Sequence, residues 1–224
     1  MVACNERYGA WVFNRMKVGI IGSGEVAQAL AIGFLERGDE VVLGTRDPGK
    51  LQEFIAAQPR ARATSSAEAA TFGETIVVAT LGTATVALLQ TLDAAAFANK
   101  VIIDVTNAVV ADADGFHLPT GFTDSLGERV QRALPQARVV KAFNIVGSDD
   151  MVHPKFSGGP PTMFIAGDDA GAKTAVGNIL TDFGWETADI GGITSSRYLE
   201  AMCMTWLLFG QSTGKWHHAF KMLT

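Results

Sequence analysis

A glycine-rich turn joins a short apolar segment to an amphipathic one near the start of the chain. Residues Lys17–Ile21 are typical of a buried strand, and apolar residues recur at helical spacing beyond the turn. Glycine allows a chain to pass sharply from strand to helix and leaves its backbone accessible to a ligand. The pattern therefore predicts a strand–turn–helix unit of a parallel α/β fold. The turn consists of Gly22, Ser23, Gly24, Glu25 and Val26.

The same turn predicts the kind of ligand. Backbone N–H groups at a helix N-terminus carry partial positive charge, so a pyrophosphate binds well there. Ala27 stands where the common dinucleotide-binding motif has its third glycine, and alanine is small enough for close helix–strand packing. We expect a dinucleotide at this turn.

The end of the next strand predicts which dinucleotide binds. The segment Glu40–Gly44 is apolar and is followed by Thr45 and Arg46. An acidic residue at this place would accept a hydrogen bond from the ribose 2′-hydroxyl of NAD. A hydroxyl and a guanidinium suit the 2′-phosphate of NADP instead. Lys50 follows one helical turn later and is either a second ligand of that phosphate or a solvated surface residue.

Strands and helices alternate along the remaining chain. This order predicts a Rossmann-type α/β fold, with a doubly wound, mainly parallel sheet and a small helical elaboration at the C-terminus. We predict one domain over residues 16–224 and an N-terminal extension over residues 1–15. Further strands are predicted at 61–64, 74–79, 100–105, 137–142, 162–166 and 187–190. Helices are predicted at 27–37, 48–57, 66–70, 85–92, 125–134, 170–183 and 195–209.

Three loops follow predicted strands and are candidates for the rest of the site. Ligands of open parallel sheets bind outside the carboxyl ends of the strands. Thr80 and Leu81 follow one strand, and Asn107 and Asn144 follow the next two. Either asparagine could orient a carboxamide such as that of nicotinamide, or could serve only as a turn or cap residue.

The composition limits the range of expected partners and cellular compartments. The net charge is −5 and the pI about 5.3, which argues against nucleic acid and anionic membrane surfaces as partners. No apolar run reaches the roughly 18 residues of a membrane span. Cys4 and Cys203 fit neither a metal-binding nor a redox spacing. We predict a cytoplasmic protein without a metal site.

No convincing pair of nucleophile and base occurs, so no catalytic side chain is predicted. His153 is either a proton donor or, more in keeping with its place beside a proline, a surface loop residue. His217 and His218 are adjacent, which is a poor spacing for two ligands of one metal, and are interpreted as structural.

Several segments resemble NADP oxidoreductases that use the deazaflavin coenzyme. They are residues 16–48, 139–144 with its Lys-Ala-Phe-Asn, 166–169, 197–200 with its Arg-Tyr-Leu-Glu, and 218–223. The chain resembles, more distantly, the cytoplasmic domain of ferric reductases of the six-transmembrane epithelial antigen family. The resemblance implies a hydride transfer between nicotinamide and deazaflavin rings stacked in one cleft, which needs proximity more than an acid or base. It also implies a homodimer built partly from the C-terminal region.

Carried over to this chain, the resemblance implies roles for single residues. The turn at 23–26 binds the pyrophosphate, Thr45 and Arg46 bind the 2′-phosphate, and Thr80, Leu81 and Asn144 line the nicotinamide side. Arg197 either fixes an acidic tail of the second ligand or pairs with Glu200 at i,i+3. The second-ligand pocket is expected around Phe143, Val146, Met151 and the turn at 191–193.

The identity of the small-molecule electron acceptor or donor stays open. A deazaflavin is the leading expectation. FMN, FAD or a metal–flavin system is the first alternative, and a non-catalytic NADP-binding module is the second.

Overall fold

The protein is described by a computed structural model that covers residues 15–113, 115–119 and 121–224. The predicted extension, except Arg15, lies outside the described residues. The strands are β1 (Lys17–Ile21), β2 (Glu40–Gly44), β3 (Ala61–Thr64), β4 (Thr75–Val78), β5 (Val101–Asp104), β6 (Val110–Asp112), β7 (Gly115–His117), β8 (Arg138–Lys141), β9 (Thr162–Gly167) and β10 (Glu186–Asp189). The helices are α1 (Glu25–Glu36), α2 (Gln52–Ala57), α3 (Ser66–Phe72), α4 (Gly82–Gln90), α5 (Leu126–Ala133), α6 (Ala170–Asp182) and α7 (Ser196–Thr213).

One eight-stranded sheet, in the order β10-β9-β8-β5-β4-β1-β2-β3, forms the centre of the molecule. All neighbouring strands are parallel except β8 and β9. The chain passes from β1 to β2 and β3, then returns across β1 to β4, so the winding direction reverses between β1 and β4. This arrangement confirms the predicted doubly wound, mainly parallel fold, and the reversal is where such folds bind ligands.

Apolar side chains on both faces of the sheet are covered by helices. Val18 and Ile20 of β1 belong to a core cluster that includes residues of α1 and α6. Ile21 and Ile76 belong to a second cluster on the other side, with residues of α4 and α5. Burial on both faces explains why the central strands are apolar throughout rather than alternating.

Two features of the strands are absent from the prediction. Strands β6 and β7 form a separate antiparallel pair in a segment for which no element was predicted, because each is three residues long and lacks an alternating apolar pattern. Strand β9 is predicted at the right place, but its antiparallel pairing with β8 depends on the path of the intervening chain, which apolar patterning does not encode.

The C-terminal segment lies across α7 and the start of β9. The indole Nε1 of Trp206 donates to the carbonyl of His218 at 2.8 Å, and the backbone N–H of Thr162 donates to the carbonyl of Phe220 at 2.9 Å. Nδ1 of His217 lies 2.8 Å from a carboxylate oxygen of Asp150. These contacts give both histidines the structural role that was predicted.

Within the part of the chain that the structure describes, every helix is too short or too polar to cross a bilayer.

Candidate functional site

The carboxyl ends of five strands lie side by side along one edge of the sheet. The register pairs Ile21 with both Gly44 and Val78, then Val78 with Asp104, and Asp104 with Lys141. The predicted binding loops follow these residues and therefore meet at this edge. They contain the turn Gly22–Val26, Thr45 and Arg46, Thr80 and Leu81, Asn107, and Asn144.

The first glycine of the turn, Gly22, is required by the backbone conformation. Gly22 has a φ of 147°, a conformation that side chains disfavour, and a Cβ there would collide with the carbonyl oxygen of Ala79. Its N–H donates to the carbonyl of Gly44 at 2.9 Å and so ties the turn to the end of β2. The turn and the predicted 2′-phosphate site are therefore held next to each other.

The second glycine of the turn leaves space for a ligand. Gly24 caps α1 with ordinary extended dihedrals and offers no side chain to the helix N-terminus. A Cβ at this position would meet no atom within 4 Å. The first N–H groups of α1 thus point into open space without a capping side chain. This open, positively polarised surface fits the pyrophosphate of a dinucleotide.

The end of β2 presents cations that no acid neutralises. The N–H of Thr45 donates to Thr64 at 2.9 Å, and its hydroxyl accepts from the N–H of Asp47 at 3.2 Å, which fixes the loop. Both Arg46 and Lys50 are exposed, and their side chains pair with no group among the described residues. A free guanidinium next to an open helix N-terminus fits a phosphate on the adenine ribose.

The loop after β4 provides an apolar surface. The hydroxyl groups of Thr80 and Thr85 lie 2.8 Å apart, and Thr85 also donates to the carbonyl of Leu81 at 3.1 Å. These bonds hold Leu81 at the start of α4 with 72% of its surface exposed. A large exposed apolar side chain at the ligand edge of the sheet suits contact with a planar ring.

Asn107 and Asn144 bind each other across the crevice. Asn107 Nδ2 donates to the Asn144 carbonyl at 2.7 Å, and Asn144 Nδ2 donates to Asn107 Oδ1 and to the carbonyl of Leu199, each at 3.0 Å. The Asn144 side-chain oxygen is buried without a hydrogen-bond partner in the described structure. Buried acceptors are normally satisfied, so this oxygen is an exception, and the partly exposed Asn107 is the asparagine of the pair that a ligand can reach.

A buried ion cluster beneath these loops was not predicted. Lys141 Nζ lies 3.1 Å from Asp104 Oδ2 and 3.1 Å from Glu200 Oε1, and none of the three side chains is more than 2% exposed. Burial opposes the charge of Lys141, but the attraction of Asp104 and Glu200 outweighs it and raises the pKa of the lysine. The signal in the sequence was a lysine inside an apolar strand, which is rare unless the charge is paired.

The two carboxylates join four elements of the fold. Asp104 Oδ1 accepts from the N–H and hydroxyl of Thr106 at 3.0 and 2.6 Å. Glu200 accepts from the N–H groups of Leu126 and Gly127, both at 3.0 Å, at the N-terminus of α5. The cluster therefore connects β5 and β8 with α5 and α7.

The predicted i,i+3 pair of Arg197 with Glu200 is wrong. Arg197 instead binds Glu128 of α5 through two hydrogen bonds of 2.7 and 2.8 Å. These bonds lower the pKa of Glu128. Glu200 faces Lys141 on the inner side of α7, because residues three apart on a helix still differ in direction by about 60°.

The predicted second-ligand pocket is wrong for four of its residues. Phe143, Val146 and Met151 are buried in the main core cluster, and Ile193 is buried in the second one. Gly191 and Gly192 remain partly exposed, so this turn is still available. Apolar residues after a strand give no local signal that distinguishes a pocket wall from core.

His153 lies on the surface, as expected, with Nε2 3.2 Å from a carboxylate oxygen of Glu36. The described residues contain no group of three or more histidine, cysteine or acidic side chains that could hold a metal ion.

Cys203 lies beside the ion cluster, and burial raises the pKa of its thiol to about 12. In a Cys4→Ser variant, we expect no reaction with a thiol reagent near neutral pH in the native state and full reaction after denaturation, because the thiolate is the reactive form. Spectrophotometric titration with the reagent measures this. Rapid labelling of the native variant would contradict the buried position.

Comparisons with known proteins agree with this geometry. The sequence model of the family "NADP oxidoreductase coenzyme F420-dependent" matches residues 17–108. A crystal structure from Arthrobacter sp. FB24, of a protein proposed to be an F420-dependent NADP reductase, is 31% identical with a TM-score of 0.89, covering 93% of this chain and all of that one.

Two curated relatives are metalloreductases. STEAP3 of Rattus norvegicus is 29% identical over 186 residues, or 83% of this chain and 36% of that protein. STEAP2 of Homo sapiens is 25% identical over 187 residues, or 83% of this chain and 35% of that protein. The chain thus spans about a third of the length of these relatives.

Proposed function

The chain belongs to the family of coenzyme F420-dependent NADP oxidoreductases, and from this we propose that it transfers a hydride between NADP(H) and a deazaflavin stacked on the nicotinamide. The NADP-dependent oxidoreductase activity is the property of the family. The choice of a deazaflavin is supported by the match of the Arthrobacter structure over 93% of the chain. The assignment of NADP rests on Arg46, whose side chain pairs with no group among the described residues and which lies beside an open helix N-terminus.

In this proposal, each loop at the carboxyl ends of the strands binds one part of the cofactor. The turn at 22–26 holds the pyrophosphate, and Thr45 and Arg46 hold the ribose phosphate, with Lys50 adding charge. Strands are spaced about 4.8 Å apart, so the path from β2 across β1 and β4 to β5 is about 14 Å long. In the proposed binding mode the nicotinamide lies at the far end of this path, beside Leu81 after β4 and Asn107 after β5.

Bound NADPH supplies the hydride. The residues around it would orient the two rings: Leu81 offers an exposed apolar surface, and the partly exposed Asn107, held by Asn144, would lie beside the carboxamide. Orientation of this kind accounts for most of the rate in direct hydride transfer, so no side-chain acid or base is required.

A deazaflavin titration tests the proposal. We expect the visible absorbance of oxidised deazaflavin to disappear when NADPH and the protein are added without oxygen. Saturable binding of NADPH without any change in that absorbance would rule out deazaflavin as the second substrate. The assignment of NADP as the cofactor would still stand.

A flavin or metal–flavin acceptor is the second candidate, and the metalloreductase relatives that match 83% of this chain favour it. Parallel assays with FMN, FAD and ferric iron plus flavin distinguish it from the first. The acceptor with the highest kcat/KM identifies the function.

We also propose that the protein is a homodimer located in the cytoplasm. Tyr198, Leu208 and Phe209 of α7 are about half exposed and form an apolar face that a second copy could cover. Light scattering of the purified full chain tests the dimer, and a monomer at micromolar concentration would contradict it.

Arg46 determines the preference for NADP over NAD in this proposal. We expect Arg46→Ala to weaken NADP binding about tenfold to a hundredfold, since a hydrogen bond to a charged group contributes about 1.5–3 kcal/mol. NAD binding should hardly change, because NAD has no 2′-phosphate. Calorimetric titration of both cofactors measures the effect, with Lys50→Ala as a comparison that removes a more distant charge. An equal loss of affinity for both cofactors would instead indicate a structural role for Arg46.

A further inference from the structure

The buried ion cluster carries an unbalanced charge. Two carboxylates, Asp104 and Glu200, face one ammonium, Lys141, and the three residues are 0%, 1% and 0% exposed. The formal charge of the cluster is therefore −1. Water does not reach it, so this charge is screened less than a surface charge would be.

Both carboxylates accept hydrogen bonds from several neighbouring groups. Asp104 receives hydrogen bonds from Thr106 and Lys141. Glu200 receives bonds from two backbone N–H groups of α5 and lies 3.1 Å from the same ammonium.

The neighbouring groups do not cancel the charge of the cluster. Cys203 is a neutral thiol below its pKa of about 12. Glu128 and Arg197 form an ion pair of their own at 2.7 Å, with no net charge. The N-terminus of α5 offsets part of the charge of Glu200, by about half an elementary charge at most.

The cluster lies directly beneath the nicotinamide side of the crevice. Asp104 and Lys141 are the last residues of β5 and β8 and are register partners. Lys141 also donates to the carbonyl of Thr106, the residue before Asn107, and Asn107 binds Asn144. A ring seated over the ends of β4 and β5 lies within two strand spacings of about 4.8 Å, or within about 10 Å, of the cluster.

We propose that the buried cluster of Asp104, Lys141 and Glu200 favours the oxidised cofactor in this site. The inference rests on the proposed function, because it requires nicotinamide to bind over β4 and β5. The ring of NADP⁺ is positively charged and that of NADPH is neutral, so a net negative charge below the ring stabilises NADP⁺ selectively. Bound NADPH becomes the stronger hydride donor, which biases the enzyme towards reduction of its second substrate. At an effective dielectric constant of about 20 and about 10 Å, one charge changes the affinity ratio about tenfold.

Separate titrations of NADP⁺ and NADPH test the proposal. We expect the ratio Kd(NADPH)/Kd(NADP⁺) to fall about tenfold in Glu200→Gln and in Asp104→Asn, which each bring the formal charge of the cluster to zero. The double variant Lys141→Met with Glu200→Gln keeps the charge at −1 and should retain the wild-type ratio. Glu53→Gln, an exposed carboxylate on α2, controls for a general change of charge.

A measurement on the wild-type protein tests the proposal even if the variants do not fold. NADP⁺ should bind it more tightly than NADPH, and tighter binding of NADPH would overturn the inference. An unchanged ratio in both single variants, with both cofactors still bound, would overturn it while leaving the proposed function intact. Failure of the wild-type protein to bind either cofactor would overturn both.

Discussion

Lys141→Met should lower the free energy of unfolding by about 3–5 kcal/mol, because it leaves the buried carboxylates of Asp104 and Glu200 without their counter-ion. Methionine has similar length and fits the apolar surroundings, so the loss reports the uncompensated charges rather than a cavity. Urea unfolding followed by circular dichroism measures it. Lys155→Met, at an exposed lysine, is the matched control and should change stability by less than about 0.5 kcal/mol.

The double variant Lys141→Met with Glu200→Gln separates charge from packing. Removing one of the two stranded carboxylates should restore part of the lost stability, with a coupling of about 0.5–3 kcal/mol. Additive effects of the two substitutions would show that the pair does not interact. A loss below about 1 kcal/mol in Lys141→Met alone would mean that the carboxylates take up protons at little cost or that water reaches them.

Gly24→Val should abolish most NADP binding while leaving the fold intact. A Cβ at Gly24 meets no protein atom within 4 Å and the φ of −78° is allowed for any residue, so stability should fall by no more than about 1 kcal/mol, the usual difference between good and poor N-cap residues. The valine side chain would instead occupy the space above the N-terminus of α1. Loss of two charge-assisted hydrogen bonds there, at about 1.5–3 kcal/mol each, corresponds to a fall in affinity of a hundredfold or more.

Gly22→Ala is the informative contrast. Its Cβ would strike the carbonyl of Ala79, and its φ of 147° disfavours any side chain, so the substitution should destabilise the fold itself. Thermal unfolding and cofactor titration of the two variants together distinguish a glycine kept for the ligand from a glycine kept for the backbone. Equal loss of stability in both would contradict an open site above α1.

The strand–turn–helix unit could be predicted because its signals are local. Gly22 and Gly24 lie within a few residues of the strand and helix that they connect, and Arg46 follows directly on the next strand. Parallel winding then brings Leu81 and Asn144 to the same edge, since every parallel strand ends there. The preference for NADP is thus a prediction from residue types at the ends of predicted strands, and the Arg46→Ala titration tests it.

Partners of charged residues could not be predicted in this way. Arg197 has Glu200 nearby in sequence, yet it binds Glu128 on another helix. Phe143 follows a strand like the candidate binding residue Asn144 beside it, yet it is buried in the core. In both cases the outcome depends on how α5 and α7 dock on the sheet, which sequence spacing does not encode.

Local sequence patterns are sufficient to predict a Rossmann-type fold and a candidate NADP-binding edge, because turn chemistry and apolar periodicity act over a few neighbouring residues. Only the tertiary structure brought Asp104, Lys141 and Glu200 together from β5, β8 and α7. Burial makes their mutual attraction strong enough to hold three charges away from water, and that burial exists only once sheet and helices have packed.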